Sequence, residues 1–247
     1  MAIIPKNKRT ILEKLIKEFW PGPLTLVLKR KKIVPNEVTA GLNTVAIRMP
    51  NNKIALKLIE KSKVPIAAPS ANISGKPSGT CFKHVFEDFN NKIAGVIKSK
   101  PSKIGIESTV IDLSEKNYWI LRPGKITLNE LKKIIPKIKI YKYKNLKKKI
   151  KSPGIKYRHY SPNAKVILFK KNSYKKIEIY KKSLKKQNKK FFFINYKNNE
   201  KLSKKIFYIF RELDKKNVEY ILVYLNDFSG IGYALKNRLE KAAYKII

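Results

Sequence analysis

Residues 64–79 read VPIAAPSANISGKPSG, and this stretch says most about the fold. Val64 to Ala68 is short and apolar, as a buried strand is, and Thr80 follows the loop as the predicted cap of a helix that ends near Phe89. Strand, small-residue loop and helix in this order predict an α/β domain. Because small residues let a ligand approach the backbone, loop 69–79 is a candidate phosphate or ribose site. A plain connection rich in turn-forming residues has the same composition.

Strands and helices alternate on both sides of this loop, which predicts a domain with a mixed sheet. The first helix is expected to begin at Thr10, because Thr10 and Glu13 form a capping-box pattern. Thr127 and Glu130 repeat that pattern before a later helix. The remaining predictions are helices over 10–20 and 51–61 and strands over 24–28, 44–48, 94–97, 108–113 and 118–121.

A second α/β unit is predicted from Ala164 onward, where strands and helices alternate three times. This order predicts a small parallel sheet with helices outside it, a Rossmann-like C-terminal domain. Before it, the lysine-rich residues 138–163 are expected to be a linker. The predicted organisation is therefore a domain over 1–137, a linker over 138–163 and a second domain over 164–247. The predicted strands are 166–169, 191–194 and 220–224, and the predicted helices are 174–186, 200–213 and 230–243.

The composition excludes several classes of protein. With 43% hydrophobic residues in 247, the chain has enough apolar content to form a core, which disordered chains lack. No apolar run approaches the ~20 residues that span a bilayer, and the start lacks a signal peptide. The single cysteine, Cys81, fits a reducing compartment such as the cytoplasm. Two histidines and 17 acidic residues argue against a zinc cage, a glycosidase or a two-metal nuclease.

The formal charge of +40 has two explanations that the sequence leaves open. Lysines that neutralise phosphates would favour a nucleic-acid partner. Codon usage rich in A and T would also enrich lysine, isoleucine and asparagine without any functional cause, and arginine is scarce in this chain.

A few polar residues are chemical candidates on their own. Arg48 ends a predicted strand and could bind a carboxylate with both guanidinium nitrogens, although the residues alone favour a surface arginine at a strand end. Arg122 has the same ambiguity, and Ser108 lies at the start of a strand. His159 could titrate near neutral pH, whereas His84 is expected at the surface of a helix.

Five ordered motifs together resemble the YrdC-like family of L-threonylcarbamoyladenylate synthases. Residues 152–162 resemble the linker of the two-domain branch of that family, and residues 230–239 (GIGYALKNRL) resemble the end of its C-terminal domain. The motifs are FWPGPLT at 19–25, VAIRMP at 45–50, PSANISG at 69–75, IESTV at 106–110 and LRPG at 121–124.

The resemblance implies a reaction and its participants. Threonine takes up bicarbonate to form a carbamate, the carbamate attacks the α-phosphorus of ATP, and threonylcarbamoyl-AMP and pyrophosphate result. The product serves N6-threonylcarbamoyladenosine modification of tRNA through a partner transferase. Mg²⁺ is implied by the ATP chemistry. No membrane is involved.

The resemblance also assigns roles, residue by residue. Arg48, Ala68 and Ser108 are expected to hold threonine. Ser70, Asn72 and Arg122 are expected to be catalytic. The ATP contacts are Thr44, Ser70, Ser78, Arg122, Tyr157 and Arg158, and the lid over the pocket is Tyr157, Arg158, His159 and Tyr160.

One difference from the family pattern leads to a further expectation. The family domain begins with several tens of residues that include a Thr-Tyr-Gly-Leu-type stretch and a Lys-x-Arg pair, and the resemblance places Met1 after both. We therefore expect a catalytic domain that lacks its N-terminal part and is inactive alone. A non-catalytic RNA-binding module is the alternative from another class. A related enzyme with a different carbamoylated substrate is a third, which the C-terminal unit disfavours.

Overall fold

The computed structural model describes residues 2–142 and 160–247, which form two compact units. Residues 2–69 and 107–142 make up the first unit, and residues 70–106 and 160–247 the second. In chain order the elements are β1 (Ala2–Ile3), α1 (Lys6–Phe19), β2 (Leu24–Arg30), α2 (Asn36–Thr39), β3 (Thr44–Ile47), α3 (Lys53–Ser62), α4 (Phe82–Phe89), β4 (Thr109–Asp112), β5 (Trp119–Arg122), α5 (Leu128–Lys132), β6 (Lys139–Ile140), β7 (Lys165–Phe169), α6 (Tyr174–Lys186), β8 (Phe191–Asn195), α7 (Asn199–Lys215), β9 (Tyr220–Tyr224), α8 (Ile231–Ala242) and β10 (Ala243–Ile246).

The first unit is built on a mixed sheet of order β1-β2-β4-β5-β6, with β3 also paired to β2. β2 runs parallel to β4 and β5 parallel to β6, while the other pairs are antiparallel. Helix α1 covers the sheet, because Leu12 and Leu15 lie on one helical face and are buried against Leu24 and Ile111. The mixed α/β architecture predicted for this unit is confirmed.

The second unit contains a four-stranded parallel sheet of order β10-β7-β9-β8. Helix α7 buries Ile206, Phe207 and Phe210 against this unit's core, as its helical periodicity predicts. The expected Rossmann-like arrangement is confirmed, with one addition: β10 follows α8 directly and pairs with β7, where only a helix to Ala243 was predicted.

Two predicted strands are absent from the described structure. Residues 64–68 and 94–97 lie outside any strand, and Val64 and Ile66 are exposed. An apolar run becomes a strand only when a neighbour takes up its backbone hydrogen bonds, and Pro65 and Pro69 remove two N–H donors from this stretch. The strand predictions over 64–68 and 94–97 are therefore wrong.

The predicted start of the first helix is also wrong. α1 begins at Lys6 after Pro5, four residues before Thr10. Lys8, in its first turn, is buried and donates hydrogen bonds to the carbonyls of Leu113 and Glu115. Burial lowers the pKa of Lys8, and the charges of Asp112 and Glu115 act in the opposite direction.

No helix in the described ranges has the length and apolar character needed to cross a membrane.

Candidate active site

A hydrogen-bonded group of Thr25, Ser108 and Arg122 lies in the first unit, where β2 and β4 begin and β5 ends. Arg122 donates from Nε to the carbonyl of Ser108 and from Nη2 to its hydroxyl, both at 3.1 Å. The Ser108 hydroxyl is 2.7 Å from that of Thr25. Ser108 and Arg122 are buried. Two predicted site residues are thus in direct contact, although their predicted ligands differ.

Strand register explains why these three side chains meet. Thr25 pairs with Val110 in β4, and Val110 pairs with Arg122 in β5. Gly124 brings the following turn against β4, because a Cβ there would lie 2.4 Å from the Thr109 nitrogen. Sequence reasoning missed Thr25, which stands inside the FWPGPLT motif, since only the three-dimensional pairing shows its contact with Ser108.

Arg48 lies at the same end of the sheet as this group. It comes directly after Ile47, whose partner in β2 is Leu26. Its side chain is exposed and has no hydrogen bond or ion pair with any described residue. Although Arg48 is exposed by its accessible surface, the protein atoms around the guanidinium partly desolvate it and lower the pKa of Arg48, yet an arginine stays charged at neutral pH. Within the described ranges, no acceptor therefore competes with a carboxylate ligand for the guanidinium.

Thr44 lies at the other end of β3, four residues from Arg48, a separation of about 13 Å along a strand. It is buried, pairs with Lys29, and lines a surface cavity of about 810 Å³. Lys29, Arg30 and Lys32 line the same cavity. The structure therefore separates Thr44 from the Ser108–Arg122 group while both stay within one unit.

The loop over 69–79, which is rich in small residues, does not follow a strand in the structure. Ala68 and Ser70 are exposed. Asn72 donates from Nδ2 to the carbonyls of Ile73 and Lys76, at 2.9 and 3.2 Å. Its Oδ1 is buried without a hydrogen-bond partner in the described ranges, so an acceptor remains for a donor from a ligand. Ser78 is half-buried.

The loop is attached to α4 and α7 within the second unit. The backbone N–H of Ile73 donates to Asp88 at 3.4 Å, and Asp88 forms a 2.6 Å ion pair with Arg211. Burial raises the pKa of Asp88, but the hydrogen bonds from Arg211 and Ile73 and the charge of Arg211 outweigh it, and the net shift is downward.

His84 is fully buried in α4, so the prediction that it lies at the surface is wrong. Its Nδ1 accepts a hydrogen bond from the Thr80 backbone N–H at 3.3 Å, and its ring packs beside Tyr208 of α7. Burial, followed by the charges of Arg211 and Lys215, lowers the pKa of His84. The α7 helix covers this position, which no local pattern in α4 indicates.

Of the predicted lid residues, Tyr157, Arg158 and His159 lie outside the described part of the chain. Tyr160 is described, and its side chain belongs to the second unit's core, stacked on Phe207 with ring centroids 5.3 Å apart. Tyr160 therefore lies in the core of the second unit and not in the expected lid. Ser161, the next residue, donates its backbone N–H to the carbonyl of Gly75 at 3.0 Å.

The described part of the chain contains no group of three His, Cys, Asp or Glu side chains arranged to hold a metal ion. The described site side chains are hydroxyls, an amide and guanidinium groups. Mg²⁺ prefers carboxylate oxygens and water as ligands. The described donor set therefore does not fit a protein-held Mg²⁺ ion.

Comparison with known proteins agrees with this architecture. Residues 3–124 match a family model described as "Telomere recombination" (Sua5, YciO and YrdC), and residues 126–244 match the "Threonylcarbamoyl-AMP synthase, C-terminal domain" model. The chain is 45% identical to the threonylcarbamoyl-AMP synthase of Pyrococcus abyssi over its whole length, covering 78% of that protein. It is 37% identical to the Bacillus subtilis enzyme, with 93% of this chain and 72% of the relative covered.

A solved structure is similar along almost the whole chain. The crystal structure of Pyrococcus abyssi Sua5 complexed with L-threonine superposes with a TM-score of 0.91 at 44% identity, covering 99% of this chain and 76% of that one. The fold and the site thus define a two-domain α/β nucleotidyltransferase. The chain belongs to the threonylcarbamoyl-AMP synthase family. These matches do not support the expectation that the catalytic domain lacks its N-terminal part.

Proposed function

We propose that this chain forms threonylcarbamoyl-AMP and pyrophosphate from L-threonine, bicarbonate and ATP, for modification of tRNA in the cytoplasm. The observation that carries the proposal is Arg48. It is an exposed arginine with no described partner, at the end of the sheet that also holds Ser108 and Arg122. A guanidinium in this state suits the carboxylate of an amino acid.

The proposed residue roles are those that the family resemblance implies. Arg48 binds the threonine carboxylate, and Ser108 and the backbone at Ala68 complete the amino-acid pocket. ATP is held by Thr44, Ser70, Ser78 and Arg122, with Tyr157 and Arg158 above it. Asn72 orients the reacting groups through its Oδ1, which has no hydrogen-bond partner among the described residues. The catalytic domain, linker and second domain are proposed at 1–137, 138–163 and 164–247.

The reaction balances without a redox step. The threonine nitrogen attacks carbon dioxide derived from bicarbonate and loses a proton, which gives a carbamate. A carbamate oxygen then bonds to the α-phosphorus of ATP, and the bond from that phosphorus to the bridging oxygen breaks, so pyrophosphate leaves. Positioning and charge stabilisation by Arg122 supply the catalysis.

Threonine binding tests the proposal most directly. In calorimetry with L-threonine, we expect Arg48→Ala to weaken binding about 10²-fold, since hydrogen bonds to charged groups contribute about 1.5–3 kcal/mol. Arg48→Lys should restore only part of the affinity, because lysine lacks the planar fork. Arg9→Ala is the matched control, since Arg9 is an exposed arginine paired only with Glu13 in α1. Equal binding by the wild type and Arg48→Ala would refute the assigned role.

A second function, RNA binding, is favoured by one observation. Residues 165–190 hold eleven lysines and a single glutamate, and most of these lysines are exposed. The partner of such a surface would be tRNA, whose phosphates it could neutralise. Either the enzyme presents this face to its downstream tRNA, or the chain binds RNA without catalysis.

Salt dependence separates a defined RNA surface from diffuse charge. Changing Lys175, Lys182 and Lys186 to glutamine should lower the slope of log K against log salt by about 2–3. The control changes three exposed lysines of the first unit, Lys14, Lys17 and Lys61. If both triple variants lower the salt slope equally, RNA binding does not depend on a defined surface over residues 165–190. The lysine-rich composition of the whole chain would then explain it. Salt-steep RNA binding without any threonine or ATP binding would favour the non-catalytic function.

A further inference from the structure

Arg211 of α7 is buried where α4 and the loop over 70–79 meet. Its guanidinium makes four hydrogen bonds. Nε and Nη2 donate to the carbonyl of Pro77 at 3.0 and 2.8 Å, and Nη1 and Nη2 donate to the carboxylate of Asp88 at 3.1 and 2.6 Å. The side chains of Arg211 and Asp88 are only 10% and 11% exposed, so solvent competes little with these bonds.

Both halves of the loop are held by this pair. Asp88 accepts the backbone N–H of Ile73, the residue after Asn72. Arg211 takes up the carbonyl of Pro77, the residue before Ser78. The two contacts fix the backbone next to two residues that the proposed function assigns to the reaction.

We propose that Arg211 is a positioning residue, which holds the loop of Ser70, Asn72 and Ser78 in the conformation that binds ATP. This proposal rests on the proposed function, because the loop's ATP contacts belong to it. It explains how a helix of the C-terminal sequence contributes to the reaction without touching substrate.

The chemistry of the side chain supports the choice of arginine here. The planar fork can meet a carboxylate on one edge and a carbonyl on another at the same time. A lysine ammonium could still pair with Asp88 but could not reproduce the forked contact. A buried ion pair is seldom the most stabilising solution for packing alone, so the presence of one at this loop fits a geometric role.

The same two helices provide a matched control. Lys215, one turn after Arg211 in α7, pairs with Glu87 of α4 at 2.8 Å. Both side chains are more than one-third exposed, at 38% and 36%, and no described hydrogen bond joins them to the loop. Removing either cation takes away one α4–α7 ion pair, but only Arg211 touches residues 70–79.

Hydrogen–deuterium exchange on the full chain tests the positioning role. We expect backbone amides of residues 72–78 to exchange at least about tenfold faster in Arg211→Lys and Arg211→Met than in the wild type. Lys215→Met should leave the same amides unchanged. If Arg211→Met fails to fold, the exchange rates of Arg211→Lys test the positioning role, because lysine keeps a cation for Asp88. The proposal would be overturned if the amides of residues 72–78 exchange at the wild-type rate in Arg211→Lys. It would also be overturned if they exchange as fast in Lys215→Met as in the Arg211 variants.

ATP and threonine binding complete the test. In calorimetry, Arg211→Lys should weaken ATP binding about tenfold while threonine affinity stays within about twofold, because Arg48 is not in the loop. Equal weakening of both ligands would indicate general damage and overturn the positioning role. If the wild type binds no ATP, the proposed function fails, and the exchange data alone then decide whether Arg211 anchors the loop.

Discussion

Replacing Gly105 by alanine probes the close approach between residues 102–106 and helix α7. Gly105 has a φ of +82°, a backbone conformation that side chains rarely adopt. A Cβ at this position would lie 2.3 Å from the Ser203 carbonyl oxygen and 2.4 Å from the Lys204 Cα. These are backbone atoms within a helix, so they cannot move aside as a flexible side chain can.

The expected loss of stability combines three effects. The positive φ costs a non-glycine residue about 1–2 kcal/mol. Overpacking against a rigid neighbour costs about 1–3 kcal/mol. Alanine also reduces the entropy of the unfolded chain, which returns about 0.4–1 kcal/mol. The free energy of unfolding of the second unit should therefore fall by about 2–4 kcal/mol.

Urea denaturation followed by two signals measures this loss. Both tryptophans, Trp20 and Trp119, belong to the first unit, while circular dichroism also reports the helices of the second. With a slope of about 2 kcal/mol per molar urea, the middle of the usual range, the circular dichroism midpoint of the second unit should fall by about 1–2 M. Gly95→Ala is the control, because a Cβ there has no neighbour within 4 Å. Equal midpoints in both variants would refute the close approach at Gly105.

Two further predictions concern His84 and Ser108. The pKa of His84 is lowered in the folded state, mainly by burial, so the folded ring takes up a proton less readily than the unfolded ring, which does so as the pH falls through about 6.5. The second unit should therefore lose stability between pH 7 and 5, by at most about 1.4 kcal/mol per pH unit for this one group, and His84→Gln should flatten that dependence in urea titrations. A wild-type and His84→Gln pair with the same pH dependence would contradict this. Ser108→Ala removes the hydroxyl that contacts Arg122 and Thr25, which should destabilise the first unit by about 1–3 kcal/mol in tryptophan-detected unfolding. An unchanged midpoint would show that the hydroxyl contributes nothing there.

Much of the fold could be predicted because local patterns were reinforced by packing. The apolar runs of β2, β7 and β9 became strands, and the periodic face of α7 became core. The capping box at Thr127 and Glu130 is confirmed. The same pattern at Thr10 failed, because helix-forming residues precede Thr10 back to Pro5, and the proline sets the start instead.

The other failures have long-range causes. Residues 64–68 have the composition of a strand but no described partner strand. His84 is buried by α7, whose sequence begins more than a hundred residues later. Thr25 contacts Ser108 across 83 positions. Local periodicity carries no information about such contacts.

Arginine usage did carry a signal that extends beyond local pattern. The chain has seven arginines against fifty lysines, so the position of each arginine is informative. Arg122 and Arg211 are buried and use two or more guanidinium nitrogens on described acceptors. Arg30, at the surface, reaches the Val34 carbonyl and the Asn36 side chain. Lysine cannot reproduce such forked contacts. Arg48 has the same fork and no acceptor among the described residues, which supports the proposal that it binds the carboxylate of threonine.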